Sequence, residues 1–590
     1  MVDLWAQPFN LDPDAITWVN ETIASMSDEE KIGQLFVNMG ASRTEEYLTD
    51  VLDTYHIGAV RYNPGTAEEV WDQNYILQTK AKIPLLIAAN TEAGGNGACT
   101  DGTYIGAEVK IGATADPQWA YEMGRVSGEE AAAIGCNWSF APIVDILYNW
   151  RNPIVATRAW GADPDLVLEM SREYMRGIME SGILPAAKHF PGDGVDERDH
   201  HLSFAANTLS CEAWDATFGK VYSGLIEAGL PSIMAGHIMH PAYQRHFSPG
   251  IADEDLLPAT LSKELITDLL RGKLGFNGLV VTDASHMVGM TGRMARRDIL
   301  PRAIAAGCDL FLFFNDPEED FGWMLQGYLD GVISDERLVE ALQRILGLKA
   351  RLGLHRTPRE KILPPKEEAL ARIGVEANTS LAPKVSDASI TLVKNRQDGV
   401  LPLNHERSRR ILVVPVSGPE NPISRGFGMG GEKKHPAQKV GEILSERGYE
   451  VTIHESLFDK LAVMTPEEQA EAVKNIYAGK APISALTDNY DLVIMVAKID
   501  GLMQPVQRVA WAATKGTVDI PWYVHELPVI YVSTNGPFDM ADVPQVKTFI
   551  NAYDDKEHTL LVLVDKLEGI SEFKGISPVD AFCGMADTRI

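Results

Sequence analysis

Residues 163–190 read DPDLVLEMSREYMRGIMESGILPAAKHF. An Asp-Pro pair opens a helix, apolar residues recur at helical spacing, and Gly182 closes it. LPAAKHF (184–190) follows at once, apolar on both faces, with a lysine and a histidine before its final phenylalanine. A strand of that kind belongs in a sheet covered by helices on both sides, which makes the sheet parallel. DPQWAYEMGRVSGEEAAAIG (116–135) opens and closes a helix the same way. Strand-type runs recur at IGAVRY (57–62), PLLIAAN (84–90), NWSFAP (137–142), SIMAGHIMH (232–240), GLVVTDAS (278–285) and CDLFLFF (308–314). Seven such units fit a closed (β/α)8 barrel of the TIM type better than an open sheet, with an eighth, short strand near LFVN (35–38).

Special residues collect where these runs end. Asn90 and Glu92 follow PLLIAA, Asp145 follows NWSFAPIV, and Lys188 and His189 end LPAAKH. His237 and His240 end SIMAGHIMH, and Asp283 ends GLVVTD. Barrel active sites lie at that rim. SDERLVEALQRILGLKARLGL (334–354) reads as the closing helix, so the barrel domain is expected over 1–354. The Pro- and charge-rich stretch that follows makes 355–387 a linker. RRILVVPVS (409–417), YEVTIH (449–454), DLVIMVAK (491–498) and LPVIYVSTNG (527–536) alternate with helices in a second α/β sandwich domain, 388–590, built on an open sheet. EKKHPA (432–437) is its most basic patch.

The totals bound the function. A chain of 590 residues exceeds one core. Formal charge of −29 repels nucleic acid and anionic membranes and suits neutral or cationic small molecules. Cys99, Cys136, Cys211, Cys308 and Cys583 lie far apart, with no CxxC pair, which argues against a zinc ribbon or a dense disulfide framework. No secretory signal and no membrane-length apolar run is visible, so a cytoplasmic protein is expected.

Lys188–His201, KHFPGDGVDERDHH, carries the densest chemistry. Asp199 and His201 are two apart, so an extended loop presents them on one side. The pair is either part of a solvated turn or an imidazole oriented by a carboxylate for acid/base work. Asp283 either caps the next helix or serves as a nucleophile or metal ligand at the rim. Lys188 and His189 are either a satisfied core pair or site residues. A rim metal centre drawing on His189, His201, His237, His240 and Asp283 requires a His-x-His on an early strand. The early strands offer none, so no metal or other cofactor is expected. TEAGGNGAC (91–99) and GFGMGGEKK (426–434) lack the phosphate-loop pattern and read as turns.

KHFPG-x-G-x4-D-x-H followed by F-x-G-L-V-V-T-D resembles glycoside hydrolase family 3, in its β-N-acetylglucosaminidase branch with a His/Asp dyad. NWSFAPIVDI…NPIVATRAWG (137–161) and ASITLVKNRQDGVLPLN (388–404) extend the likeness over most of the chain. The resemblance implies a retaining exo-β-glycosidase acting on terminal β-N-acetylglucosaminides of chito-oligosaccharide or muropeptide type. Asp283 would be the nucleophile and His201 the acid/base, oriented by Asp199. Asn90, Glu92, Asp145, Arg158, Lys188, His189 and His237 would line the sugar subsite. The only partner implied is a small carbohydrate, and oligomeric state is left open. A neutral imidazole repels an incoming anion less than a carboxylate does, so phosphate could replace water as acceptor. Three positions depart from the branch: Asn90 stands for its Asp, His200 for its Ser or Thr, and Asp193 for a frequent His. Charge-assisted hydrogen bonds are roughly twice as strong as neutral ones, so the amide at residue 90 is expected to alter sugar recognition. A non-catalytic sugar binder would have no need of Asp283, Asp199 and His201 together.

Overall fold

The structure is a computed structural model that describes residues 2–418, 434–455, 457–499, 508–509 and 517–590. GFGMGGEKK therefore lies outside the described residues except for Lys434, as do the first two residues of EKKHPA. Two compact units divide the chain. One comprises the residues up to Ser380 apart from Val109–Ala115, and the other comprises Val109–Ala115 with Leu381–Ile590.

The first unit is a closed parallel barrel. Its strands are β1 (Phe36–Asn38), β2 (Ala59–Arg61), β3 (Leu86–Ala89), β4 (Trp138–Ser139), β5 (Leu184–Phe190), β6 (Ser232–Ala235), β7 (Leu279–Ala284) and β8 (Leu310–Leu312). Each pairs with its sequence neighbours, and β8 closes on β1 through Phe311 and Phe36. Every run expected from the sequence is present, and β1 occupies the LFVN stretch. Apart from Arg61 and Ala284, all the strand residues are buried, as strands between a side-chain-filled interior and a ring of helices must be. The helices start where Asp-Pro predicted. Asp116 caps Pro117–Ala133 and Asp163 caps Pro164–Glu180, each with its carboxylate accepting from a first-turn N–H. Residues 355–387 contain short helices at Lys366–Leu370 and Glu376–Thr379, and the start of another at Leu381–Ser389.

The second unit holds a six-stranded sheet: β9 (Thr391–Asn395), β10 (Arg410–Ser417), β11 (Glu450–Ile453), β12 (Leu492–Lys498), β13 (Val529–Ser533) and β14 (Thr548–Asn551), in the order β9-β14-β13-β12-β10-β11. All pairs are parallel except β9 with β14. One face packs Ile411, Val413, Ile494 and Ile530 against helices Pro436–Glu446 and Glu557–Leu567. The other packs Leu412, Met495, Tyr531 and Phe549 against Leu486, Tyr523 and Met540. β9 and β14 were not singled out as strands in the sequence, because each is short and bounded by polar residues. Within this unit the fully buried Lys110 donates to Asp554 Oδ2 (2.7 Å), Ser386 Oγ (2.9 Å) and Thr559 Oγ1 (2.8 Å), which gives its ammonium a carboxylate and two hydroxyls in place of water.

Candidate active site

Asp283 sits at the end of β7 and is 8 % exposed. Its Oδ1 accepts from the Ala284 N–H at 2.7 Å, and its Oδ2 is buried with no protein partner. It caps no helix: the next one, Val288–Thr291, begins after Met287 with no side-chain cap. Burial pushes its carboxyl up, but His189, His200, His237 and His201 outweigh burial and hold it well below the usual carboxylate range. The residues that follow are tied to β8 and the segment after it. Ser285 N donates to Leu312 O (2.6 Å) and Ser285 Oγ to Phe313 O (2.7 Å). Arg296 donates to Ser285 O (3.1 Å) and Oγ (3.0 Å) while its other donors grip Asp320. Arg296 and Asp320 were not among the sequence candidates, since charged residues on helices read as solvent-facing.

Opposite charges fill the next sector of the mouth. Glu92 takes a bidentate contact from Arg158 (3.0 and 2.9 Å) and a third bond from Lys188 Nζ (2.6 Å). Burial would raise its pKa, yet the two cations hold the carboxyl well below its ordinary value. His189 Nδ1 lies 2.7 Å from Asp145 Oδ2, and Asp145 Oδ1 accepts from the backbone N–H of His189 (3.1 Å) and of Asp193 (2.7 Å). His189 Nε2 is 3.9 Å from Asp283 Oδ2. Lys188 and His189 are consecutive, yet both reach site carboxylates, and the β5–β6 register shifts between Lys188 and Phe190. Glu108, which no sequence signal marked, lies fully buried below and accepts from Ile143 N (3.0 Å). Burial pushes its carboxyl well above the normal range.

The KHFPGDG turn needs its glycines. Gly192 and Gly194 have φ of 115° and 100°, and a Cβ on Gly194 would lie 2.2 Å from Ile146 O. Beyond the turn, Asp199 Oδ1 accepts from both the N–H of His201 (2.8 Å) and its Nδ1 (2.7 Å). A carboxylate on Nδ1 fixes that tautomer and leaves Nε2 to exchange protons. The imidazole of His201 is 24 % exposed against 3 % for the Asp199 side chain. The loop is bonded to the turn that follows Asp283: Val288 N donates to His201 O and Gly289 N to His200 O, each at 3.0 Å.

Three candidates sit differently from the rest. His237 has both ring nitrogens engaged, with Thr260 Oγ1 at 2.9 Å and Ala284 O at 3.0 Å, so it braces the end of β7 and has no nitrogen left for a sugar. Burial lowers its pKa to about 4. His240 accepts from Tyr243 N (3.3 Å) as the cap of helix Pro241–Phe247 and takes no part in the cluster. Asn90 follows β3, its Oδ1 buried and without a protein partner. Arg61, at the end of β2, is an addition: it is half-buried, it donates to Asn63 Oδ1 (2.6 Å), and Glu92 acts on it electrostatically. Among the described residues, Asp199, His200 and His201 each offer a potential metal-ligand atom within 4.8 Å of the others. The Asp199–His201 hydrogen bond already uses two of those side chains. TEAGGNGAC is a turn, as expected, with Gly97 so close to Asn90 O that a Cβ would lie 1.7 Å away.

The cluster combines an ionised carboxylate, an imidazole backed by a second carboxylate, and a rim of Arg, Lys and His donors. Comparisons with known proteins show which family the chain belongs to. Residues 27–348 match the family model described as the glycosyl hydrolase family 3 N-terminal domain. The chain is 42% identical, over all of both sequences, to a "Beta-N-acetylglucosaminidase/beta-glucosidase" of Cellulomonas fimi. It is 31% identical to a "Beta-hexosaminidase" of Chromobacterium violaceum over 34% of this chain and 53% of that one. Its structure is similar to that of "Beta-glucoside phosphorylase BglX", with a TM-score of 0.89, 38% identity and 99% of each chain covered. The barrel, the carboxylate at the end of its seventh strand and the full-length likeness lead to one conclusion: this chain belongs to glycoside hydrolase family 3.

Proposed function

We propose that the protein cleaves terminal β-glycosides with retention of configuration, through a covalent ester on Asp283. Asp283 attacks the anomeric carbon as His201 Nε2 delivers its proton to the leaving oxygen. The imidazole, again a base, then takes a proton from the acceptor, which breaks the Asp283 ester and releases the sugar. Asp199 keeps the Nδ1 proton in place through both steps. Arg158, Lys188, Glu92, Asp145 and His189 supply the charged donors and acceptors that hold ring hydroxyls, with Asn90 beside them. The substrate of first choice is a β-N-acetylglucosaminide of chito-oligosaccharide or muropeptide type. The observation that supports this reading most is the pair of backbone hydrogen bonds from Val288 and Gly289 to His201 and His200, which tie the acid/base loop to the turn after Asp283.

A second reading differs only in the acceptor and the sugar. The 38%-identical structural neighbour is a β-glucoside phosphorylase, and the name of the 42%-identical relative includes β-glucosidase. A neutral imidazole as base adds no charge that would turn phosphate away. A panel of 4-nitrophenyl β-glycosides, with N-acetylglucosaminide, glucoside, xyloside and galactoside compared in the presence and absence of phosphate, tests both. Hydrolysis indifferent to phosphate supports water as acceptor, and a sugar 1-phosphate with faster turnover supports transfer. Turnover of none of the four under either condition would end the glycosidase proposal.

A further inference from the structure

Two of the departures noted in the loop meet in space. Asp193 and His200 are seven residues apart, and His200 Nε2 lies 3.6 Å from Asp193 Oδ2, with side chains 0 % and 2 % exposed. Neither ring nitrogen of His200 has a hydrogen-bond partner, and neither has Asp193 Oδ2. Buried polar groups without partners are costly, so two of them facing each other are one unfinished interaction. At 3.6 Å it is not yet a hydrogen bond.

The surroundings fix both ends. Asp193 Oδ1 accepts from Asn152 Nδ2 (2.8 Å) and Gly194 N (2.6 Å), and Asp193 N donates to Asp145, the partner of His189. The His200 ring sits edge-on to His189, His201 and His237, with centroids 5.6, 5.1 and 6.2 Å away. Neighbouring side chains therefore line up from Asp283 through His189, Asp145, Asp193 and His200 to His201. Burial and Asp145 push the Asp193 carboxyl well up, and burial pushes the His200 imidazole well down. Burial thus disfavours the charged form of both partners, and a carboxyl oxygen faces an imidazole nitrogen across the 3.6 Å gap.

We infer that Asp193 and His200 are positioning residues: a buried acid–imidazole pair that joins the acid/base loop to the floor of the nucleophile's subsite. In the resembling branch these two positions carry His and Ser or Thr, so both members of the pair differ here. The inference rests on His201 being the acid/base, and the test separates the two.

The experiment is a double-mutant cycle with His200→Thr, Asp193→His and the two combined, read as kcat and KM on a 4-nitrophenyl glycoside and on an alkyl glycoside of the same sugar. Each single change is expected to lower kcat on the alkyl glycoside ten- to hundredfold, with KM and 4-nitrophenyl turnover within about threefold. The double variant is expected to regain at least tenfold over the worse single. Losses that simply multiply would overturn the inference. Asp193→Asn keeps a donor for His200, so a loss as deep as that of Asp193→Ala would also overturn it, and this pair of variants serves if the exchange does not fold. His201→Ala in parallel isolates the underlying assignment: if it spares the alkyl glycoside, the acid role itself fails, whatever the cycle shows.

Discussion

Gly289→Ala probes the contact between the two halves of the site. A Cβ built on Gly289 lies 2.9 Å from His200 O, 2.9 Å from His237 Cβ and 2.9 Å from His237 O. None of these atoms sits at the end of a flexible side chain, so none can rotate away. His237 is pinned by Thr260 and Ala284 O, which leaves the acid/base loop to move. Its movement breaks the hydrogen bonds that His200 O and His201 O accept from Gly289 and Val288. Two backbone hydrogen bonds at about 0.5–1.5 kcal/mol net each come to about 1–3 kcal/mol. At 1.36 kcal/mol per factor of ten this is roughly a 5- to 160-fold loss wherever the proton donor is needed. The assay compares kcat/KM on an alkyl glycoside, whose leaving group must be protonated, with that on a 4-nitrophenyl glycoside, which leaves without help. The alkyl substrate is expected to lose the full factor and the aryl substrate less than threefold, with a thermal transition close to that of the wild type. Equal losses on both substrates, or none on either, would refute the claim that this turn sets the height of the acid/base loop.

Asp283→Ala is expected to abolish turnover of every glycoside while leaving circular dichroism unchanged, and activity near the wild-type level would remove Asp283 from its role. Glu92→Gln strips the anion from Arg158 and Lys188 and is expected to destabilise the barrel by about 3 kcal/mol in urea at pH 7, the low end for breaking a buried ion pair. Because the Glu92 carboxyl is depressed, its stabilisation is fully present above its ordinary value near 4.5 and shrinks as pH falls toward the depressed one, so the gap between variant and wild type should narrow below pH 4.5 yet remain open at pH 3. Asp539, in the second unit, is pushed by burial to about 7. A raised carboxyl stabilises most below its unfolded value near 4 and loses that contribution as pH rises through 7. Asp539→Asn should therefore flatten the fall in stability between pH 4 and 8 and gain roughly 3–4 kcal/mol over the wild type at pH 8.

Much of the architecture was legible because periodicity is local. The Asp-Pro caps at 116 and 163, the doubly apolar runs and the special residues at their ends read directly as barrel units, and a closed eight-stranded barrel follows from repeating them. β9 and β14 escaped because an antiparallel pair of short strands carries no period of its own. Its partners are separated by some 150 residues of chain.

At the site, the residue types and their places at strand ends were visible in the sequence, since chemistry restricts them to few choices. Their partners were not. Whether His237 faces a sugar or braces β7 depends on Thr260 and Ala284. Whether Glu92 is a free acceptor or a neutralised one depends on Arg158 and Lys188, which come from two other rim segments. The departures at positions 193 and 200 looked like two unrelated changes until folding buried them 3.6 Å apart. Sequence alone thus determined the fold class and the candidate reacting groups, because short-range pattern and side-chain chemistry are carried by each residue. Charge state, orientation and mutual support were decided only by the tertiary structure, because they arise from burial and from distances between residues remote along the chain.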